Sequence, residues 1–257
     1  MSHPYQPHAV YVLLDRSRGN LESAYAAELP AIKSLTKLDL HPHVTFFIGE
    51  NGSGKSTLLE AIAVADGFNA EGGTRNFNFA SRSSHADLSK WVRLGRSPRG
   101  RRRSDGFFLR AESFYNVATE IEKLGLVSSA SPYGGTSYHA QSHGESFIDL
   151  MTNRLRGDGL YLLDEPEAAL SPQRQLAFLV AMHELVERES QFIIATHSPI
   201  IMAYPNAWIY EFTSEGIRRV EYCDTEHYRV THSFLSRPEQ TLRLLFAEDD
   251  DDTVDRV

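Results

Sequence analysis

Gly49-Glu-Asn-Gly-Ser-Gly-Lys-Ser56, followed by Thr57, is the stretch of sequence that decides the fold of this protein. It matches the pattern G-x-x-x-x-G-K-[ST] and lies between an apolar run, Val44–Ile48, and a helical pattern, Lys55–Ala65. Glycines permit a tight turn whose backbone N–H groups converge on phosphate oxygens, and the positive end of the following helix points at the same anion. The stretch therefore predicts a phosphate-binding loop between a strand and a helix.

The side chains of this loop have separate predicted tasks. Lys55 is expected to reach the β- and γ-phosphate oxygens of a nucleotide, and the hydroxyl of Ser56 is expected to be a ligand of Mg²⁺. We predict that the whole stretch contacts the nucleotide, which gives the set Gly49, Glu50, Asn51, Gly52, Ser53, Gly54, Lys55, Ser56 and Thr57.

Leu160-Tyr-Leu-Leu-Asp-Glu-Pro166 has the pattern of a fully buried strand that ends in two carboxylates. Consecutive residues of a strand point in different directions, so each acid can have its own role. Asp164 is expected to hold the Mg²⁺ shell, and Glu165 to polarise the attacking water. His197 follows the next apolar run, Phe192–Ala195, and can donate a hydrogen bond to the γ-phosphate. The predicted catalytic set is therefore Glu165, His197 and Lys55.

Together these motifs resemble those of the ABC-type ATPases, in the branch that contains SMC, RecF and OLD proteins. Gly49–Ser56 resembles Walker A, Leu160–Glu165 resembles Walker B, and His197 resembles the switch histidine. Glu167–Ser171 lies at the place of the D-loop, with Ser171 replacing the usual aspartate. More narrowly, the chain resembles small stand-alone bacterial ATPases of the AAA-domain family.

The signature motif of such proteins belongs where this chain has Ser142-His-Gly-Glu-Ser146, which departs from the common Leu-Ser-Gly-Gly-Gln form. The resemblance implies that Ser142, Gly144 and Glu145 contact a nucleotide bound by a second copy. It thus implies a head-to-tail homodimer that buries ATP and Mg²⁺, with hydrolysis by Glu165 releasing the dimer as a conformational switch.

Two departures from the family pattern limit what the resemblance implies. The Q-loop glutamine is not identified, although Asn76, Asn78 and Arg82 lie near its expected place. The chain between the Walker A and signature motifs lacks sustained heptads, so no long coiled-coil arm is expected there.

The order of strand-like and helix-like patterns predicts an α/β fold of the P-loop NTPase, ABC-ATPase type. We expect a largely parallel central sheet, an antiparallel β portion that includes a hairpin over Trp208–Tyr222, and a helical signature region. A single domain is expected over residues 1–240, with a loop and helical insert at about 66–150 in which 66–105 is an exposed loop. Residues 241–257 are acidic and are expected to be a disordered tail.

Bulk composition narrows the class of protein further. A net charge of -8 over 257 residues does not fit a simple polycation that coats nucleic acid. One cysteine, Cys223, excludes an intramolecular disulfide, and the eleven histidines lack the spacing of a zinc site. Because no apolar run approaches the ~20 residues that span a bilayer, and the start lacks a signal-peptide pattern, we expect a cytoplasmic protein without membrane insertion.

A cluster of five arginines in the predicted loop has two open interpretations, namely simple solvation or contact with nucleic acid or another polyanion. The cluster consists of Arg96, Arg99, Arg101, Arg102 and Arg103. Arg110 and Glu112 are equally open, since they either line the nucleotide site or form a structural ion pair.

Three functions remain open at this point. The first is an ATPase switch in a DNA-related or defence process, which the family branch and the arginine cluster favour. The second is the ATPase subunit of a transporter, which the unusual signature and the unidentified Q-loop glutamine disfavour. The third is a regulatory module that binds ATP with negligible turnover, which the intact Glu165 disfavours.

Overall fold

The computed structural model describes residues 6–19, 28–70, 72–73, 86–97, 104–111, 114–123 and 143–247. The strands in these ranges are β1 (Tyr11–Leu14), β2 (Lys37–Asp39), β3 (Val44–Gly49), β4 (Val92–Gly95), β5 (Asp105–Arg110), β6 (Gly159–Asp164), β7 (Gln191–Ala195), β8 (Trp208–Thr213) and β9 (Gly216–Val220). The α-helices are α1 (Pro30–Ser34), α2 (Lys55–Ala65), α3 (Phe114–Lys123), α4 (His143–Arg154), α5 (Pro172–Glu187), α6 (Glu226–Ser236) and α7 (Pro238–Phe246).

Two sheets organise these elements. The larger sheet has the order β5-β6-β7-β3-β8-β9, in which neighbouring strands are parallel except for the antiparallel pair β8–β9 at one edge. The smaller sheet has the antiparallel order β2-β1-β4. The predicted α/β fold, with a largely parallel central sheet and an antiparallel β portion, is confirmed.

The larger sheet is covered on both faces, which explains why its strands are apolar throughout. Phe46 and Phe47 are neighbours in β3 and are both fully buried, but they belong to different core clusters. Phe47 packs with Leu58 and Ile62 of α2 and with the smaller sheet. Phe46 packs on the other face with residues of α4 and α5 such as Phe178. Side chains of a strand alternate between its two faces, so a strand buried on both faces has no polar alternation.

A glycine is required where β3 ends and the loop begins. Gly49 has a φ of +134°, in a region that L side chains rarely adopt. A Cβ at this position would also overlap the backbone carbonyl of Phe212, because β8 lies directly beside β3. The first glycine of the motif therefore has a packing reason as well as a conformational one.

The structure corrects the expectation of an exposed loop over 66–105. A 3₁₀ turn occupies Ala86–Lys90 and β4 follows it, with Trp91 and Val92 only 7% and 3% exposed. This part of the chain completes the small sheet and packs on α2. The sequence pattern did not reveal this strand because the residues on both sides of it are polar.

The C-terminal end also differs from the expectation. Helix α7 continues to Phe246, inside the tail that was expected to be disordered from residue 241, while residues 248–257 lie outside the described ranges. An apolar stretch, Leu242–Phe246, precedes the acidic residues and has helical spacing, so the acidic run alone was a poor guide to the boundary. The remaining domain limits stay predictions. Among the described helices, none combines the length and the apolar character needed to cross a bilayer.

Candidate functional site

The predicted site residues follow three neighbouring strands of the large sheet. Strand β7 lies between β3 and β6, and all three run parallel. Their carboxyl ends therefore meet at one edge, which brings the loop after Gly49, the acids after Leu163 and the segment after Ala195 together. Open α/β sheets bind ligands at this edge.

The loop between β3 and α2 has the glycine conformations and the following helix that its sequence predicts. Gly52 and Gly54 have φ of +79° and +103°, and α2 begins directly after Gly54. The Nζ of Lys55 is buried and donates to the carbonyl oxygens of Gly49 and Glu50, both at 2.8 Å. Burial lowers the pKa of Lys55, although Glu165, Asp164 and Glu167 oppose that shift. The ammonium group thus lies across the loop, facing the acidic cluster of the site.

Ser56 and Asp164 meet although they lie far apart in the sequence. The Oγ of Ser56 donates to Oδ1 of Asp164 at 2.8 Å, and Nε of Arg110 lies 3.4 Å from Oδ2. Arg110 also pairs with Glu60 of α2, with Nη1 at 2.7 Å from Oε2. A hydroxyl beside a buried carboxylate is a donor set that suits Mg²⁺. Arg110 is therefore both an ion-pair residue and a neighbour of the site, whereas Glu112 lies outside the described residues.

Glu165 has an unusual backbone conformation that sets its side chain apart from that of Asp164. Its φ of 51° and ψ of 52° are left-handed, and its N–H donates to the carbonyl of Ala195 at 2.9 Å. For a residue other than glycine this conformation costs roughly 1–3 kcal/mol and often marks a functional position. The Glu165 side chain is 39% exposed, and its Oε1 lies 3.7 Å from Nε2 of His197.

His197 is held from three sides. Its backbone N–H donates to the carboxylate of Glu167, its Nε2 faces Glu165, and its Nδ1 lies 3.1 Å from Nε2 of His227. Burial, followed by the positive charge of Lys55 and the proximity of His227, lowers the pKa of His197 to about 4. The imidazole is therefore neutral near pH 7.

The structure adds two residues to this edge for which the sequence suggested no such contact. Glu167, which the resemblance assigns to the D-loop, accepts a hydrogen bond from the backbone of His197, and burial raises the pKa of its carboxyl group. The pattern Asp-Glu-Pro-Glu could have drawn attention to it. His227 lies in the first turn of α6, and nothing in its local sequence indicates that it reaches His197.

Unpaired polar atoms indicate that this edge receives a polar ligand. His197 Nε2, Glu167 Oε2 and Ser53 Oγ are buried and have no hydrogen-bond partner in the described part of the chain. Buried polar groups are normally satisfied, so several unsatisfied ones in one place point to a binding site. The adjoining cleft, about 830 Å³ in volume, is lined by the loop residues Gly49–Ser53, the β8–β9 turn and α6.

The signature residues lie beside the D-loop segment. Ser142 lies outside the described residues, while Gly144 and Glu145 lie in the first turn of α4, which begins at His143. A Cβ on Gly144 would approach the carbonyl oxygen of Ala169 to 2.8 Å, and Glu145 pairs with Arg174 of α5 at 2.9 Å. This close approach to Ala169 explains on packing grounds why residue 144 is a glycine.

Most of the arginine cluster lies outside the described residues, namely Arg99, Arg101, Arg102 and Arg103. Arg96 is described, and its guanidinium pairs with the buried carboxylate of Asp66 at 2.7 Å. Its charge is thus partly neutralised within the chain. The three Q-loop candidates, Asn76, Asn78 and Arg82, also lie outside the described residues.

Comparisons with known proteins agree with this description. Residues 31–104 match a family model described as "AAA domain", and residues 130–203 match one described as "AAA domain, putative AbiEii toxin, Type IV TA system". A 29-residue segment is 66% identical to the DNA replication and repair protein RecF of Colwellia psychrerythraea. That segment spans only 11% of this chain and 8% of RecF.

Two of the similar solved structures are distant in sequence. The SMC head domain from Thermotoga maritima is 17% identical, with 84% of this chain and 99% of that chain covered, at a TM-score of 0.44. The structure of cbiO1 from Clostridium perfringens, part of the ABC transporter complex cbiONQ, is 16% identical, with coverage of 93% and 99% and a TM-score of 0.49.

The sheet order, the phosphate-binding loop and the two AAA-domain matches define the class of this protein as a P-loop domain. The two partial AAA-domain matches and the short segment shared with RecF agree with the resemblance to ABC-type ATPases that the sequence motifs suggest. A fold of this class implies that a nucleotide binds at the loop. The roles of the individual site residues stay predictions.

Proposed function

We propose that this protein binds and hydrolyses Mg-ATP and works as a nucleotide-dependent switch. The observation that carries the proposal is the meeting of Glu165 and His197, 3.7 Å apart, at the same sheet edge as the buried Lys55 and the Ser56–Asp164 pair. A P-loop protein that only stored nucleotide would not need a carboxylate beside the expected position of the γ-phosphate.

The proposed roles follow from the contacts. The loop N–H groups, the positive end of α2 and Lys55 hold the β- and γ-phosphates. Ser56 and Asp164 are the residues that would hold Mg²⁺, which neutralises charge on the phosphate oxygens when it is bound. Glu165 orients and polarises the attacking water, since its carboxylate is accessible while that of Asp164 is engaged. His197 donates a hydrogen bond from Nε2 to the γ-phosphate.

We further propose that ATP joins two copies head to tail. The signature residues Gly144 and Glu145 lie at the start of α4, where the first-turn N–H groups provide donors for a partner's γ-phosphate. The bonding of Glu145 to Arg174 and the packing of Gly144 against Ala169 link this region to the D-loop of the same chain. Support for the dimer is otherwise the resemblance to ABC-type ATPases.

A DNA-related role is the process that we propose. It is supported by the segment shared with RecF and by the arginine cluster, although the ion pair of Arg96 with Asp66 leaves the other four arginines to supply the charge. If the cluster contacts phosphates, the Arg101→Ala/Arg102→Ala/Arg103→Ala variant should weaken DNA binding and reduce its dependence on salt. Unchanged binding and salt dependence would remove this support.

Replacement of Glu165 by glutamine is the decisive test of hydrolysis. We expect Glu165→Gln to lower ATP turnover at least about 100-fold while nucleotide affinity is kept, because the amide cannot accept a proton from water. Turnover and molar mass should be measured together, by phosphate release and by light scattering. The matched control is Glu184→Gln, an exposed change on α5.

The outcomes separate the three functions left open by the sequence. A wild-type protein that hydrolyses Mg-ATP, with an inactive Glu165→Gln variant that accumulates as a dimer, supports the switch. Nucleotide binding without turnover in either protein, with or without DNA, would instead support a regulatory module. Stable co-purification with a membrane protein would favour the transporter subunit.

A further inference from the structure

A second histidine contacts the switch histidine from the C-terminal helices. Nε2 of His227 lies 3.1 Å from Nδ1 of His197, and the two rings are 5.3 Å apart between centroids. The two residues are thirty positions apart in sequence. The contact therefore depends on where α6 packs, and no part of the function described above uses it.

The position of His227 is fixed by a well-formed helix start. Thr225 is fully buried, its Oγ1 accepts from the N–H of Tyr228 at 3.2 Å, and the same hydroxyl donates to the carbonyl of Tyr222 at 2.8 Å. This is the arrangement of an N-cap residue, which fixes the first turn of a helix. His227 lies in that turn, so its ring is presented to His197 by a helix start whose backbone is fixed by the cap.

The direction of the hydrogen bond follows from the groups around the two rings. Burial lowers the pKa of both imidazoles, and the positive charge of Lys55 acts in the same direction on each, so both are neutral near pH 7. Each neutral ring then carries one N–H. Nδ1 of His227 is buried and has no partner among the described residues. Nε2 of His197 is likewise buried without a hydrogen-bond partner, but the carboxylate of Glu165 lies 3.7 Å from it and favours a proton there, whereas no carboxylate lies so close to the ring of His227 in the described part of the chain. The proton of His227 therefore belongs on Nε2, where His197 accepts it.

A proton on Nε2 of His227 determines the state of its neighbour. It is donated to Nδ1 of His197, which must then be an acceptor, and the remaining proton of His197 lies on Nε2. That nitrogen faces Glu165 at the nucleotide edge. In the opposite arrangement Nε2 of His197 would present a lone pair to the γ-phosphate and repel it.

We propose that His227 is a positioning residue that holds His197 in the Nε2–H tautomer, with its donor directed at the γ-phosphate of bound ATP. The inference rests on the proposed function, because it assigns a regulator to the same site. It also makes α6 part of the nucleotide site, since a displacement of α6 removes the group that orients the donor.

Steady-state ATP turnover of three variants tests the proposal. His227→Phe keeps a ring but removes the hydrogen bond, and we expect kcat to fall about tenfold with KM changed less than about twofold. His227→Gln carries an amide N–H at similar reach and should recover most of the lost kcat. His232→Phe is the control, because His232 is exposed on the same helix and stacks on Tyr228. Equal loss in His227→Phe and His227→Gln, or no loss in either, would overturn the proposal.

A double variant shows whether His227 acts through His197. If it does, His197→Ala/His227→Phe should turn over ATP at the rate of His197→Ala alone, because the group that His227 orients is already absent. Multiplicative losses would mean that His227 has an independent effect, and the proposal would be wrong.

The tautomer of His197 can be determined without ATP hydrolysis, so this measurement tests the inference independently of the proposed function. Long-range ¹H–¹⁵N spectra of the nucleotide-free protein, with signals assigned by comparison with the His197 and His227 variants, should show His197 protonated at Nε2. A wild-type protein without turnover would refute the proposed function, yet this spectrum would still decide the inference. Protonation of His197 at Nδ1 would overturn it.

Discussion

At the scale of single residues, Asp164 and Glu165 show how neighbours in sequence acquire different chemistry. Asp164 is 6% exposed and its carboxylate is engaged by Ser56 and Arg110. Glu165 adopts a left-handed backbone, which turns its carboxylate out of the strand and toward His197. A carboxylate with ionic partners suits a cation-binding role, and an accessible one suits a base.

His197 should make the free energy of unfolding dependent on pH. Its pKa is lowered from the ordinary value of 6.5 to about 4 in the folded protein. Between these values the unfolded chain binds a proton that the folded chain does not bind, so stability decreases as pH falls through this window and is fully present above it. The loss should be at most roughly 1 kcal/mol per pH unit, since the side chain is partly exposed.

Urea unfolding at pH 7.5, 6 and 5 is the measurement for this prediction. His197→Gln should show a shallower fall in the free energy of unfolding with decreasing pH than the wild type. His232→Gln, a change on the exposed surface of α6, is the matched control. Identical pH profiles for His197→Gln and the wild type would show that His197 does not titrate as stated.

At the scale of elements, burial separates the central strands from the C-terminal helices. Every residue of β6 is buried, whereas α6 and α7 expose large apolar side chains that include Leu235, Leu244 and Leu245. The apolar faces of these two amphipathic helices are therefore not covered by the core of the described residues. Their contribution to the stability of the domain must be small compared with that of the central strands.

Matched leucine substitutions test this difference. Leu162 of β6 is fully buried, and Leu162→Ala should lower the free energy of unfolding by about 2–5 kcal/mol through lost burial and a cavity. Leu245 of α7 is 68% exposed, and Leu245→Ala should change it by no more than about 0.5 kcal/mol. Urea titration monitored by circular dichroism measures both, and similar losses in the two variants would contradict the assignment of α7 to the surface.

At the scale of the whole molecule, a buried glutamine joins the two sheets. Gln191 opens β7, and its side-chain amide exchanges two hydrogen bonds with the backbone of Ala9, which leads into β1, at 2.8 and 2.7 Å. It also donates to the carbonyl of His41, ahead of β3, at 2.9 Å. One fully buried side chain thus satisfies three backbone groups from two separate segments.

Gln191→Leu should destabilise the protein although it adds an apolar side chain to the interior. The N–H and carbonyl of Ala9 and the carbonyl of His41 would be left without this partner, which should cost about 2–5 kcal/mol in the free energy of unfolding. Differential scanning calorimetry should show a lowered Tm, while Gln173→Leu, an exposed change on α5, is the control. A Tm equal to that of the wild type would show that the two sheets do not depend on this contact.

The sequence by itself determined the features whose information is local. The phosphate-binding loop, the strand that ends in Asp164 and Glu165, and the helix that begins at Lys55 all follow from glycine conformations, apolar runs and charges within a few residues. The same short-range signals were enough to predict the α/β class and the hairpin formed by β8 and β9. Strand β4 was missed because four residues between polar flanks carry too little periodicity.

Only the tertiary structure decided which distant groups meet. The order of β6, β7 and β3 brings Glu165 to His197, the packing of α6 brings His227 to His197, and Gln191 reaches Ala9 from the far end of the chain. These contacts depend on strand register and helix placement, which are set by the collective filling of the core rather than by any local pattern. The sequence thus defines the phosphate-binding loop and its acids, whereas the packing of the folded chain decides which distant side chains contact them.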